Sequence, residues 1–256
     1  MRLQTYIPSE ALRPYVKSFV VQETGEESTY RVLPDTGLVI GFQYKGKLSR
    51  LDNTLETPLS VSGISGLADH SRIFKNSADI GSVLVFFKDA GASPFFHQPL
   101  NDLFRESVSL DNFMLRSELL CVEEQLAEAT SDVQRIAVVE QFLISRMNPG
   151  KHDELIPAAL QLIYQSKGTI RIKELASKLC ISQSPLEKRF REAVGASPKK
   201  FASIVRLKNV LQQYNDKSSL TELGYESGFY DQAHFIREFK TFTGETPETF
   251  FRSKGR

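Results

Sequence analysis

Two stretches in the last hundred residues carry one residue pattern 49 positions apart. Phe190 is followed at fixed spacing by Gly195, Ser197-Pro198 and Phe201, and Phe239 is followed at the same spacing by Gly244, Thr246-Pro247 and Phe250. Upstream, Glu174-Leu175-Ala176 matches Glu222-Leu223-Gly224 and Ile181 matches Phe229, with the offset one residue shorter. That odd residue falls in a turn, where a change of length is tolerated. Such self-similarity means one supersecondary unit used twice, and each unit reads as helix, tight turn, helix.

In the first unit a helix is expected from Ile172 to Leu179, with Leu175, Ala176 and Leu179 on one face. Cys180-Ile181 then turns the chain, and Ser182 caps a helix running to about Val194 with Leu186 and Phe190 facing inward. Pro185 sits at the third helical position, where its missing N–H leaves Ser182 the amide of Ser184 to cap. In the second unit Ser219 and Glu222 have capping-box spacing, Gly228 closes the helix, and Asp231 caps the next one, whose buried pair is Phe235 and Phe239. Each unit ends in Gly, followed by a Ser or Thr cap and a Pro at the first position of a new helix. Between the units, Pro198 to about Tyr214 is predicted as a rod of roughly 17 residues, about 25 Å long. With its flanking bundles, such a rod can hold two helices about 34 Å apart, the rise of one turn of B-DNA.

The outward faces of the second helices suit that spacing. One holds Gln183, Ser184, Glu187, Lys188 and Arg191; the other holds Gln232, Ala233, Ile236, Arg237 and Lys240. Gln can bond adenine at two atoms, Arg can fork onto guanine, Glu can accept from cytosine, and Ile can pack on a thymine methyl. The expected base-facing residues are therefore Gln183, Ser184, Glu187, Lys188, Gln232, Ala233, Ile236 and Arg237. Arg191, Lys199, Lys200, Arg206, Lys208 and Lys240 are expected to meet phosphates. A lone polar helix face is more often merely solvated; the duplication, the paired caps and the charge favour DNA. Up to Gly150, 14 Lys and Arg stand against 19 Asp and Glu, whereas from Lys151 onward 18 stand against 12. The basic excess thus lies with the duplicated units.

A chain of 256 residues has room for two domains with separate cores. Residues 1–110 read as strand-rich, with β-branched and aromatic runs at Val16–Val21, Leu38–Phe42 and Ser82–Phe87. Turn signals at Pro34-Asp35, Lys45-Gly46-Lys47 and Ala90-Gly91-Ala92 separate them. This pattern suits a small β-barrel or sandwich. From Asp111 the texture becomes helical: Phe113, Leu115, Leu119, Leu120 and Leu126 are read as an apolar stripe, and Ser131 as the cap of a helix to about Met147. That stripe is read as core more readily than as a partner seam, because no heptad register extends beyond three turns. Asn148–Asp153 is the expected linker, giving domains of 1–150 and 151–256. Phe95 and Phe96 could line a pocket or fill the barrel, and filling is the commoner fate.

No apolar run approaches the roughly 20 residues that span a bilayer, and Met1-Arg2-Leu3-Gln4-Thr5 lacks a signal layout, so a cytoplasmic location and no membrane contact are expected. Cys121 and Cys180 have no partner at ligand spacing and are read as packing residues. His70, His97, His152 and His234 are scattered, and no metal, cofactor or catalytic role is assigned to them.

Gly228-Phe229-Tyr230-Asp231-Gln232-Ala233-His234-Phe235-Ile236-Arg237-Glu238-Phe239-Lys240, followed by Gly244-Glu245-Thr246-Pro247-Glu248-Thr249-Phe250, resembles the signature of the AraC/XylS family of transcriptional regulators. The resemblance covers about residues 157–252 and includes the upstream unit. It implies an α+β chain: a small N-terminal, cupin-like β-barrel or half-barrel with a helical appendage, then an all-α DNA-binding domain of seven helices. Ser82–Phe87 and the later Pro99-Leu100-Asn101-Asp102-Leu103 fit that N-terminal outline loosely. The resemblance further implies a domain that senses a small-molecule effector, of unidentified chemistry, or forms a homodimer. Family analogy puts the effector pocket inside the barrel and the dimer contact on the helices of 111–147. Activation through RNA polymerase is the commonest mode in the family. Gly224, Val210 and Gln213 depart from the small or apolar residues usual at their positions, which puts local packing in doubt.

The leading expectation is thus an activator that binds double-stranded DNA. A repressor, or a regulator that works without an effector, has the same sequence features. An enzyme with a similar DNA-binding tail would need a reactive thiolate beside basic groups. Cys121 instead precedes Glu123-Glu124, and no enzymatic role is expected.

Overall fold

The computed structural model describes residues 2–52, 55–148, 153–214 and 219–254, with Ser253 and Lys254 by backbone alone. Most of the expected linker, residues 149–152 and so His152, lies outside them. Of the three apolar runs read as strands, all form strands: Val16–Thr24 (β2), Val39–Lys45 (β4) and Ile80–Phe87 (β9). They lie at the centre of one antiparallel sheet of order β1-β2-β9-β4-β7-β10, completed by Arg2–Tyr6 (β1), Ser62–Ser65 (β7) and Ser107–Ser109 (β10). A second antiparallel sheet, β3-β8-β5-β6, is made of Ser28–Val32 (β3), Arg72–Asn76 (β8), Leu48–Asp52 (β5) and Leu55–Pro58 (β6). The Lys45-Gly46-Lys47 turn carries the chain from the first sheet to the second, and Gly46 takes the left-handed conformation there (φ 69°).

Phe19, Val21, Ile40, Phe42, Val83 and Val85 are fully buried, because alternate residues of these central strands point to one covered face of the sheet. Phe95 fills space, its ring set against Phe87 and Tyr15. Two helices, Arg116–Glu128 (α1) and Asp132–Arg146 (α2), pack on the first sheet, with Phe142 edge-on to Phe42. Ser131 caps α2 as expected, its hydroxyl accepting from the Gln134 amide.

Two expectations need correction here. Helix α1 starts five residues later than read, after a short 3-10 turn, and its buried face is Leu119, Val122 and Leu126. Leu115 precedes the helix and Leu120 lies about 100° from Leu119 around it, so both are exposed. Cys121 and Cys180 are also exposed rather than packed: the first is beside Leu120 on the outer face of α1, the second at the crest of a turn.

After Asp153 seven helices are described: Leu155–Gln165 (α3), Ile172–Lys178 (α4), Gln183–Val194 (α5), Pro198–Gln213 (α6), Leu220–Glu226 (α7), Gln232–Thr243 (α8) and Pro247–Lys254 (α9). The central rod α6 is buried nearly all round through Phe201, Ile204, Val205, Leu207 and Val210. Among the described residues no helix is long and apolar enough to cross a membrane.

Candidate nucleic-acid interface

The duplication extends to individual hydrogen bonds. Cys180 N–H donates to the Ser177 carbonyl and Ile181 N–H to that of Ala176; 48 residues on, Gly228 donates to Tyr225 and Phe229 to Gly224. Both turns need one left-handed residue, Cys180 (φ 52°) in the first and Gly228 (φ 74°) in the second. At the far end of each second helix a glycine repeats the left-handed bend, Gly195 bonded to Arg191 and Gly244 to Lys240. Gly closes these helices because only it takes this conformation without a Cβ clash.

One cap departs from expectation. Asp231 accepts from the amide of His234 at 2.7 Å, but the residue 49 positions earlier is Pro185, which has no N–H to give. Ser182 accordingly makes no side-chain cap bond, not even to Ser184. Gly224 is explained by packing: a Cβ there would stand 3.2 Å from the Phe235 ring, so its absence lets α7 approach α8 closely.

Helix α5 buries Leu186, Phe190 and Val194, and leaves Gln183, Ser184, Lys188 and Arg191 exposed and Glu187 half-buried. Gln183 Nε2 donates to one oxygen of Glu187 at 2.8 Å, and Arg191 pairs with the other at 3.2 Å. A shallow groove of about 460 Å³ follows Gln183, Ser184, Glu187, Lys188 and Arg191, with Asn101 of the N-terminal domain at its rim. Helix α8 buries Phe235, Phe239 and Phe242, and leaves Gln232, Ala233, Ile236, Arg237 and Lys240 exposed. Both sets of expected base-facing residues therefore lie on open faces of equivalent helices.

The expected phosphate-binding cations divide into two groups. Arg191, Lys199 and Lys240 are exposed. Lys200, Arg206 and Lys208 are engaged within the chain. Lys200 Nζ lies 2.5 Å from Asp69 Oδ2, Lys208 pairs with Asp35, and Arg206 pairs with Glu238 at 2.6 Å while stacking over the Phe229 ring. Asp69 is buried, which would raise its pKa, but a two-pronged bond from Arg105, with Lys200 and His70, holds it far below the usual carboxylate range. Asp35 is likewise held down by Lys208 and Lys17 against the effect of burial.

Those aspartates belong to the N-terminal domain, and sequence reasoning missed them. Their partners are 131 and 173 residues away, and nothing local marks an aspartate as the counter-ion of a distant lysine. The same holds for Tyr164 of α3, whose hydroxyl donates to Asp89 at 2.5 Å and lies 3.2 Å from the Thr36 hydroxyl. Burial and the Asp89 carboxylate push that phenol well above its ordinary pKa. A cavity of about 320 Å³ opens at this junction, lined by residues that include Lys17, Asp35, Phe87, Tyr164 and Lys208.

Residues 175–253 match a family model described as a helix-turn-helix domain, and residues 4–109 match a domain of unknown function (DUF6597). The chain is 30% identical to the arabinose operon regulatory protein of Escherichia coli over 129 residues, 47% of this chain and 44% of that protein. Residues 175–253 thus form a helix-turn-helix domain similar to that of the arabinose regulator. Among other relatives, the Msm operon regulatory protein of Streptococcus mutans is 28% identical over 154 residues, covering 58% of this chain. The chain spans about half, 54%, of that relative's length. The HTH-type transcriptional regulator ArgR of Pseudomonas aeruginosa is 23% identical and covers 96% of this chain and 85% of its own. A solved structure of ToxT from Vibrio cholerae aligns over 97% of both chains with a TM-score of 0.45 at 14% identity.

Proposed function

We propose that this protein is a sequence-specific, double-stranded-DNA-binding transcriptional regulator of the cytoplasm, placing α5 and α8 in successive major grooves on one face of the duplex. The observation that carries this reading is the pair of equivalent helices, alike in their preceding turns and in their left-handed glycine ends, whose polar outer faces are open while their aromatic inner faces are buried. Bases are read by Gln183, Ser184, Glu187 and Lys188 in one groove and by Gln232, Ala233, Ile236 and Arg237 in the other. Lys199 and Lys240 meet phosphates from the open surface, and Arg191 does so by exchanging its pairing with Glu187 for a phosphate. Lys200, Arg206 and Lys208, expected in the same role, act instead as struts within the chain.

The regulator activates transcription through contact with RNA polymerase, and its N-terminal domain sets DNA affinity through an effector. The junction cavity supports the second point, because a small molecule there touches both domains. A homodimer would form through α1 and α2, where Leu120 and Ile144 are exposed.

The test of the DNA reading compares two substitutions. Arg237→Ala is expected to cost roughly 1–3 kcal/mol on the preferred sequence and to relax the choice of base at one position. Lys199→Ala should weaken binding to all sequences and lower the slope of log affinity against log salt by about one. Equal losses on every sequence for both variants would overturn these roles. Transcript levels in a deletion strain decide the sign: target genes fall if the protein activates and rise if it represses.

A further inference from the structure

The N-terminal domain touches the duplicated units at the same point in each. The first contact is at Gly195, the left-handed residue after α5. A Cβ there would stand 3.1 Å from the carbonyl oxygen of Leu100, which belongs to a 3-10 turn of the N-terminal domain (Leu100–Leu103). The second is at Gly244, the left-handed residue after α8, where the same construction meets Arg31 Nη1 of β3 at 2.8 Å and Ser71 Oγ at 3.1 Å. Arg31 Nη1 donates to the carbonyl of Thr243 at 2.9 Å and pairs with Glu245 at 2.8 Å. It thus supplies a cation and a donor where the last turn of α8 presents unpaired carbonyls and the negative end of the helix dipole. Between these end points, Asp69 holds Lys200 and Asp35 holds Lys208. The two lysines are eight residues apart on one side of α6, with fully buried Ile204 midway between them.

We propose that the N-terminal domain is a brace that fixes α8 relative to α5, and that Arg31 is the positioning residue for α8. This rests on the reading of α5 and α8 as groove-entering helices. Its contacts fall on the C-terminal ends of both helices, whereas base edges are met mainly by N-terminal residues of a recognition helix. Gln183, Ser184, Gln232 and Ala233 stay exposed with the brace in place, so the brace does not cover the N-terminal turns of α5 and α8. Arg31 acts at the second unit through the backbone of Thr243 and through Glu245, without touching DNA itself. A change in the setting of β3 is therefore passed to α8 and not to α5.

The test uses the intact chain and a library of random-sequence DNA duplexes. The wild type is expected to select a two-part motif with one fixed separation between its parts; Arg237→Ala, by relaxing one position, identifies the part read by α8. Arg31→Ala should keep the α5 part, accept a range of separations, and bind the wild-type motif roughly tenfold more weakly. Arg31→Lys, which retains a charge and a donor, should restore the fixed separation in part. Glu245→Gln, which keeps the Thr243 bond and loses the ion pair, gives an intermediate result and serves if Arg31→Ala does not fold. Selection of the wild-type separation by both Arg31→Ala and Glu245→Gln, or equal weakening of both parts of the motif, overturns the brace. Failure of the wild type to select any motif overturns the DNA-binding reading, and this inference with it.

Discussion

At the scale of single residues, the two units expose their differences because they are otherwise superimposable in pattern. Cys180 occupies the left-handed position that Gly228 fills in the second unit, and a side chain costs about 1 kcal/mol or more in that region. Cys180→Gly should therefore raise stability by about 0.5–1 kcal/mol, part of the gain being offset by the greater freedom of Gly in the unfolded chain. Equilibrium urea denaturation measures this, and a loss of stability would show that the Cys180 side chain has a role beyond the turn. Pro185 is the second such difference, since it removes the amide that the cap of α5 would need. Lys208 illustrates how a neighbour changes a side chain's work. Its charge is met by Asp35, so Lys208→Ala is expected to leave the salt slope of DNA binding nearly unchanged while Lys199→Ala lowers it.

At the scale of elements, the signals that worked were periodic. Apolar residues at helical spacing and the Gly and Pro punctuation mark α4 to α8 nearly to their ends and the start of α9, because capping and left-handed closure are decided by adjacent residues. The start of α1 was misplaced for the converse reason. Phe113, Leu115, Leu119, Leu120 and Leu126 are apolar at near-helical spacing, yet only tertiary contact decides that Leu119 and Leu126 are the buried ones. The aromatic residues at the centre of each unit make a sharper point. Phe190 and Phe239 are fully buried at equivalent positions, and Phe239 meets Phe235, Phe250 and Phe251 in one aromatic cluster. Truncation of either to Ala should cost about 3–5 kcal/mol. Amide hydrogen exchange should show the loss of protection beginning in the unit that carries the substitution; a uniform loss across both units would mean that they do not open separately.

At the scale of the whole molecule, the two domains are joined by ion pairs that depend on carboxylates staying charged. Asp69 and Asp35 have depressed pKa values, so their contribution is fully present above the unfolded-state value of about 3.9 and is lost as pH falls towards the folded-state value. Stability is thus expected to be insensitive to these groups between about pH 5 and 8 and to decline below about pH 4. Urea midpoints measured across that range check this, with Asp69→Asn and Asp35→Asn expected to flatten the acid limb; an unchanged limb in both variants would mean that other carboxylates govern it. Sequence alone determined the duplicated helix-turn-helix units, the rod between them, the outward polar arcs and the central strands of the first sheet. All of these follow from neighbours within a few residues or from one fixed repeat. Only the tertiary structure decided which lysines of α6 are held by distant aspartates, where the two domains meet, and that Arg31 reaches the end of α8. The pairings of Lys200, Lys208 and Arg31 join residues 131 to 214 positions apart, and a charge has no local pattern that names its distant partner.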